Sequence, residues 1–473
     1  MTDHWHFRWA SAAQPLFVDA TSAAASTSTV GGWLSQLAAC RAAVASISGQ
    51  RVLLYLDDTT EFSLWLFALL QAGKTVVLAP NGLPETLAQA MLHADTQLLA
   101  DALPALPSLN DDASRFLNLD VNKAHTSLPL SAKLVFFTSG SSGQPKLVTK
   151  DLWQLQTEIQ LLQQTFTGLA AHTNMLVAST VPHQHIYGLL FRVLWPLSAG
   201  WTLLRPTVHF AEQWLALSQP TLDQQTQPVM LISSPAQLSR YDDVTLVQQS
   251  PAQFAAVFSS GGPLATADAV RFYQQSGLAI TEIYGSTETG GIGYRQQQTT
   301  NTSCVWQAFA GIQLAQDEQG CLLLRSPYLA KQDLSKQEWF ATTDMVTLHT
   351  ADQFSLAGRV DRIVKLAEKR LSLAEVENLC GSLSFVHQAV ALILPGSAGH
   401  GREQLALVVE LTDAGQQLLA TAGKHAINQH IKRALASRFE TVLLPRRFRY
   451  VQSMPYNAQG KLPRQQLELL FLS

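Results

Sequence analysis

The stretch LVFFTSGSSGQPKLVTK, Leu134 to Lys150, decides how the rest of the chain is read. Leu134–Phe137 is a short unbroken apolar run, the pattern of a strand buried on both faces. The next nine residues are Thr138, Ser139, Gly140, Ser141, Ser142, Gly143, Gln144, Pro145 and Lys146. Beyond them Leu152, Leu155, Ile159, Leu162 and Phe166 recur at helical spacing, with Gly168 placed to stop the helix. The pattern predicts a loop that joins a strand to a helix within an α/β layer. Glycines let backbone N–H groups turn toward an anion, the hydroxyls add donors, and Lys146 adds a positive charge. Such a loop suits a polyphosphate, although a Ser/Gly loop on its own is equally a plain connector. It is not a Walker A loop, because G-x-x-x-x-G-K-[ST] is absent. Gly460-Lys461 lacks the upstream glycine, and GIGYRQ at 291–296 lacks the third glycine of a dinucleotide fingerprint.

The same α/β rhythm extends outward in both directions. Residues 51–56, RVLLYL, read as a buried strand, TEFSLWLFALLQAG as a helix ending at Gly73, and KTVVLAP as the next strand. Later NMLVAST, PVMLISS, FAAVFSS and LAITEIYG read as strands and LATADAVRFYQQSG as a helix, a layered α/β architecture. Near Gly358 the elements shorten and gain charge. RIVKLAE with KRLSL predicts a hairpin, AEVENLCGSL a helix, and QAVALIL, QLALVVEL and RRFRYVQS three strands. The expectation is a large multi-layer α/β domain over 1–358 and a small α+β domain over 359–473.

Composition narrows the class. The 473 residues exceed one ordinary core, 47% are hydrophobic, and the net charge of −3 gives no reason to expect a nucleic-acid partner. Cys40, Cys304, Cys321 and Cys380 form no CxxC pair, which favours reduced thiols in a cytoplasmic protein over a disulfide or zinc framework. MTDHWHFRWASAAQ has no signal-peptide core, and LWLFALLQAG is half the ~20 residues of a membrane helix, so no stable membrane insertion is expected.

Seven segments, taken in order, resemble one family. FFTSGSSGQPK resembles the phosphate loop of the adenylate-forming (AMP-dependent synthetase/ligase) superfamily, which includes acyl- and aryl-CoA synthetases, peptide-synthetase adenylation domains and luciferases. PHQHIYGL at 182–189 looks like its histidine segment, SSGGPL at 259–264 its adenine-side loop, and YGSTE at 284–288 is a strong match. TTDMV at 342–346 looks like the ribose-binding segment, GRVDRIVK at 358–365 the interdomain hinge, and PYNAQGKLPR at 455–464 the segment with the catalytic lysine.

The resemblance implies a two-step reaction. A carboxylate attacks the α-phosphorus of ATP to give acyl-AMP and pyrophosphate, and a thiol then takes the acyl group and releases AMP. It implies that Thr138, Ser139, Gly140, Ser141, Ser142, Gly143 and Lys146 hold the outer phosphates. Tyr284 lies against adenine, with Gly261, Gly262, Gly285 and Ser286 beside the nucleotide. Thr287 binds the α-phosphate, and Glu288 holds Mg²⁺ with a hard oxygen. Asp344 takes the ribose hydroxyls, with Arg359 touching ribose or phosphate. Lys461 bridges carboxylate and α-phosphate, His185 serves the acyl pocket and thiol tunnel, and Asp361 is the hinge. Gly261, Gly262, Gly290 and Gly291 leave room for substrate in that region.

Two departures stand out. Thr343 stands where the family has glycine before the aspartate, which weakens the ribose-segment match. In Leu366-Ala367-Glu368-Lys369-Arg370, Glu368 replaces a glycine that lines the thiol tunnel, and a carboxylate there disfavours phosphate-rich coenzyme A. Lys424, Lys432, Arg433, Arg438, Arg446, Arg447, Arg449, Lys461 and Arg464 are set against one acid, Glu440. Such a cluster steers an acidic partner. The expectation is therefore a ligase that activates an aryl or fatty acid and loads the phosphopantetheine of an acyl carrier protein, the alternative being a coenzyme A ligase. An enzyme that stops at the adenylate or uses an amine acceptor, and a nucleotide-binding regulator without turnover, are the rival readings.

Overall fold

A computed structural model describes residues 3–19, 26–103, 126–139, 145–210, 212–213, 217, 227–241, 254–299, 305–330, 338–366, 369–395, 403–457 and 462–472. These form two compact units. The larger takes Met1–Gln313, Arg325–Phe340 and Ala458–Gly460; the smaller takes Leu314–Leu324, Ala341–Asn457 and Lys461–Ser473. The fold is mixed α/β, as expected.

In the larger unit, a five-stranded sheet runs in the order Thr96–Leu99, Arg51–Tyr55, Thr75–Leu78, Lys133–Ser139, Pro145–Asp151. The first four strands are parallel and the last is antiparallel. Leu134, Val135 and Phe136 are all buried, as a central parallel strand requires. The helix Thr59–Gln71 crosses between parallel strands. The Asp58 carboxylate accepts from the Thr60 and Glu61 amides at 2.9 and 3.0 Å to start it, and Gly73 at φ 74° follows its end.

A second sheet in this unit orders Val305–Ala308, Gly290–Gln296, Ile280–Ser286, Phe254–Ser259, Val229–Ser233, Leu176–Ser179, Thr202–Leu204, Pro15–Asp19 and Ser26–Thr29. From Ile280–Ser286 to Pro15–Asp19 the strands are parallel, and both margins turn back antiparallel. Parallel strands of this kind present their C-terminal ends together, and ligands of open α/β sheets bind there. The loops after 254–259 and 280–286 start from that edge.

One expectation is corrected here. The Ser/Gly loop does not lead into a helix. Pro145–Asp151 is a strand that folds back on Lys133–Ser139, with Thr138 opposite Lys146 and Ser139 opposite Pro145. The segment between them therefore connects two paired antiparallel strands, and the helix starts only at Leu152. Asp151 sets that boundary through a capping box with Gln154.

In the smaller unit four strands run in the order Gln313–Gln316, Cys321–Arg325, Phe340–Leu348, Gln353–Arg359. The predicted hairpin forms as Ile363–Leu366 with Lys369–Ser372. A three-stranded sheet, Val386–Leu394, Gln404–Leu411 and Arg447–Val451, packs with the helices Leu373–Gly381 and Asp413–Leu435. Their shared core includes Leu371, Val376, Leu407, Val409, Ile427 and Ile431. Cys40, Cys321 and Cys380 are free and buried. Among the described residues no helix is long and apolar enough to cross a membrane, and no metal-ligating cluster of His, Cys, Asp and Glu is present.

Candidate active site

The hairpin Lys133–Asp151 brings Lys146 to the turn that follows Tyr284. Its Nζ lies 3.6 Å from Glu288 Oε1, with the lysine side chain 64% and the glutamate 27% exposed. Two segments singled out separately in the sequence thus meet. Gly140, Ser141, Ser142 and Gly143 lie outside the described residues. Thr138 and Ser139 end the strand that leads to them.

The strand Ile280–Ser286 delivers Tyr284 and turns sharply into Gly290–Gln296. Gly285 is required in that turn, because a Cβ there would sit 2.3 Å from the Gly290 carbonyl oxygen. Ser286 and Thr289 latch the turn. The Ser286 amide donates to Thr289 Oγ1 at 3.0 Å, and the Thr289 amide donates to Ser286 Oγ at 3.2 Å. The Ser286 hydroxyl is therefore engaged in the turn itself, and Thr287 and Glu288 project from its tip, partly exposed. Among the described residues the only side-chain partner of Glu288 is Lys146. A part-exposed hard oxygen fits the coordination needs of Mg²⁺.

Tyr284 packs on Trp306, with ring centroids 5.5 Å apart. Arg295 lies over Trp306 at 4.4 Å and bonds Glu282 at 2.8 and 3.0 Å, while Gln297 also donates to Glu282. Glu282 and Trp306 are buried. A cation stacked behind the aromatic pair and pinned by a buried carboxylate fixes the Tyr284 wall. The sequence reading missed this support, which comes from three strands and becomes visible only once their pairing is known. Gly261, at φ 90°, follows the neighbouring strand, and no atom lies within 4 Å of a Cβ built on Gly262.

Gly290 and Gly291 do not leave open room. A Cβ on Gly290 would meet Glu158 Oε2 and Tyr328 Cε2 at 2.7 Å, and one on Gly291 would meet Phe309 at 3.1 Å. They are glycines because buried side chains press against them.

In the histidine segment, His183 is buried. Its Nε2 contacts the Leu56 carbonyl at 2.8 Å, and its ring lies 4.1 Å from that of Phe62. Burial, with Arg192 nearby, holds its pKa well below the usual histidine range, so its ring is neutral. His185 is half-buried, with Nε2 3.1 Å from the Pro80 carbonyl oxygen just past the strand Thr75–Leu78. Of the two, His185 keeps surface. Gly188 packs against Pro182, whose carbonyl oxygen would be 2.0 Å from an added Cβ.

Within the smaller unit, Asp344 and Arg359 are register partners on adjacent strands, 3.3 Å apart as an ion pair. The departure at Thr343 has a structural use, since its hydroxyl accepts from Arg359 at 2.8 Å. Asp361 falls in a single 3₁₀ turn, Val360–Arg362, after Gly358 at φ 122°. Arg362 then bonds the mostly buried Glu377 at 2.5 Å. Lys461 and Glu368 lie outside the described residues.

Comparison with known proteins identifies the family. The AMP-binding enzyme family matches residues 36–331, well over half of the chain. A putative long chain fatty acid-CoA ligase, VraA, of Staphylococcus aureus is 23% identical over 354 residues, covering 71% of this chain and 70% of its own. A 4-coumarate–CoA ligase of Cereibacter sphaeroides is 25% identical over 357 residues, covering 72% and 73%. Among solved structures, ATP-bound MatB from Rhodopseudomonas palustris matches with a TM-score of 0.72 at 16% identity, over 98% of this chain and 97% of that one. With the matched region holding both the Ser/Gly hairpin and the Tyr284 turn, the chain belongs to the AMP-binding, adenylate-forming enzyme family and is an ATP-dependent, AMP-forming ligase.

Proposed function

We propose that this enzyme, of acyl/aryl-CoA-ligase type, activates an aryl or fatty carboxylic acid as its adenylate and passes the acyl group to the pantetheine thiol of a separate acyl carrier protein. The observation that carries the adenylation half is the meeting of Lys146 and Glu288 at 3.6 Å. A cation from the phosphate hairpin and a carboxylate from the Tyr284 turn are the two charges that a bound triphosphate needs at its outer and inner ends. Mg²⁺ held by Glu288 would neutralise phosphate charge. Tyr284, braced by Trp306, gives adenine a flat face, Thr287 offers a hydroxyl to the α-phosphate, and Asp344 accepts from ribose. Lys461, from the lysine-bearing segment at 455–464, supplies the ammonium that lets carboxylate and α-phosphate approach. Movement about Asp361 exchanges the two half-reactions between the domains 1–358 and 359–473.

The acceptor reading rests on charge. Lys424, Arg433, Arg438 and Arg446 are exposed cations in the smaller unit. Arg447 and Arg449 contribute less, because their guanidinium groups lie 5.2 Å from the Phe471 ring centroid and bond the Phe471 and Leu470 carbonyls. The second reading, coenzyme A as acceptor, is favoured by the coenzyme A ligases among the relatives.

The test is pyrophosphate release across benzoates, cinnamates and fatty acids, followed by transfer of the labelled acyl group to coenzyme A and to a purified carrier protein. Acid-dependent pyrophosphate release with faster loading of the carrier is expected. Glutamate at Lys424, Arg433, Arg438 and Arg446 should then slow carrier loading about tenfold at low salt and leave pyrophosphate release unchanged. Loading of coenzyme A alone would replace the carrier reading.

A further inference from the structure

Behind the Tyr284 turn lies a buried charged network that the reaction as drawn does not use. Lys150 is 2% and Glu158 5% exposed, an unusual depth for either residue. Lys150 is the last but one residue of the strand that begins at Pro145. It stands four residues beyond Lys146, on the same strand face. Lys146 reaches the Glu288 carboxylate at 3.6 Å, and Lys150 Nζ donates to the Glu288 main-chain carbonyl at 2.6 Å. One strand thus grips the side chain and the backbone of one residue.

Glu158, nearly two turns into the following helix, holds the far end of the turn. Its Oε1 accepts from the Gly291 amide at 2.7 Å. The Tyr328 hydroxyl donates to the Gly291 carbonyl, and Gln154 Nε2 donates to the Tyr328 carbonyl at 2.9 Å. Both polar groups of Gly291 are therefore held. Burial pushes the Glu158 carboxyl up to about 7, opposed by the Gly291 amide and the charge of Lys150. Sinking a lysine and a glutamate in a protein interior is costly unless each is compensated. Ordinary loops are not held this way.

We propose that Lys150 and Glu158 are positioning residues that fix the 287–291 turn from behind, so that Thr287 and Glu288 meet the nucleotide phosphates in a set geometry. The proposal rests on the reading that Glu288 faces the nucleotide. Neither residue touches substrate. Their effect passes through the Glu288 carbonyl and the Gly291 amide.

The test measures ATP affinity by calorimetry in the presence of Mg²⁺, together with hydrogen exchange of the Gly291 amide in nucleotide-free protein. Lys150→Met and Glu158→Ala are expected to weaken ATP binding about tenfold, the worth of one charge-assisted bond. Glu158→Ala should also speed exchange at Gly291 at least about tenfold. The KM for the carboxylic acid should stay unchanged in both. Glu158→Gln keeps an acceptor for Gly291, so its ATP affinity should fall by no more than about threefold. A folded Lys150→Met or Glu158→Gln protein settles the matter should Glu158→Ala fail to fold. Unaltered ATP affinity in Lys150→Met, or equal loss in the Gln and Ala variants, would overturn the proposal. Glu288→Gln separates the two claims. If it weakens ATP binding while Lys150→Met does not, only the positioning role falls. If neither does, the assignment of Glu288 itself is wrong.

Discussion

The Tyr284 turn and the Asp344–Arg359 pair both present charged side chains, yet they are held in opposite ways. The turn is fixed from inside by Lys150 and Glu158, both nearly sealed from solvent. The pair lies across two strands of the smaller unit, with Arg359 49% and Asp344 20% exposed. A buried charge that loses its partner is costly, whereas an exposed ion pair contributes 1 kcal/mol or less. The difference separates residues that shape a site from residues that remain able to exchange partners for a ligand.

Breaking the buried side should have the largest effect. Glu158→Ala leaves the buried Gly291 amide without its acceptor and removes the negative charge that faces Lys150, and should cost about 4 kcal/mol in urea unfolding. The same measurement on Asp344→Ala should show less than about 1 kcal/mol. Equal losses would erase the distinction.

A pH series sharpens it further. Glu158 titrates near its ordinary 4.5 when unfolded and near 7 when folded, facing Lys150, Tyr328 and the Gly291 amide. The folded state therefore binds the proton more tightly. That contribution is fully present below about 4.5 and is lost as pH rises through 7. Wild type should lose on the order of 3 kcal/mol over that range relative to Glu158→Gln, at 1.36 kcal/mol per unit. A flat difference in melting temperature between the two would contradict it.

On the exposed side, effects move to ligand binding. Asp344→Ala should raise the KM for ATP about tenfold through loss of the ribose bonds proposed for it, with the KM for the acid unaffected. Thr343→Val removes the hydroxyl that accepts from Arg359 and keeps the branched shape in the strand, and should change stability by less than about 0.5 kcal/mol and the ATP KM by less than about twofold.

What the sequence revealed followed local chemistry. The apolar run at Leu134, the helix that ends at Gly73, the hairpin around Lys365 and the Y-G-S-T-E turn each carry their signal within a few residues. The strand Pro145–Asp151 carries no clean signal, because Leu147 and Val148 are adjacent apolar residues without alternation and helical spacing begins directly beyond them. Glu158 was hidden for another reason. It sits in a helix whose buried face also includes Leu155, Ile159 and Leu162, and its partner Gly291 is 133 residues away. The bracing of Trp306 by Arg295 and Glu282 likewise depends on strand pairing, which local patterns do not encode.

The central claim is that a carboxylate oxygen of the substrate attacks the α-phosphorus of ATP. Supplying an accepted acid labelled with ¹⁸O in its carboxylate, with ATP, Mg²⁺ and a thiol acceptor, tests it directly. Thiol attack on the acyl carbon should leave one labelled oxygen in the released AMP and none in pyrophosphate. Label in inorganic phosphate with ADP as co-product, or AMP free of label, would contradict the account.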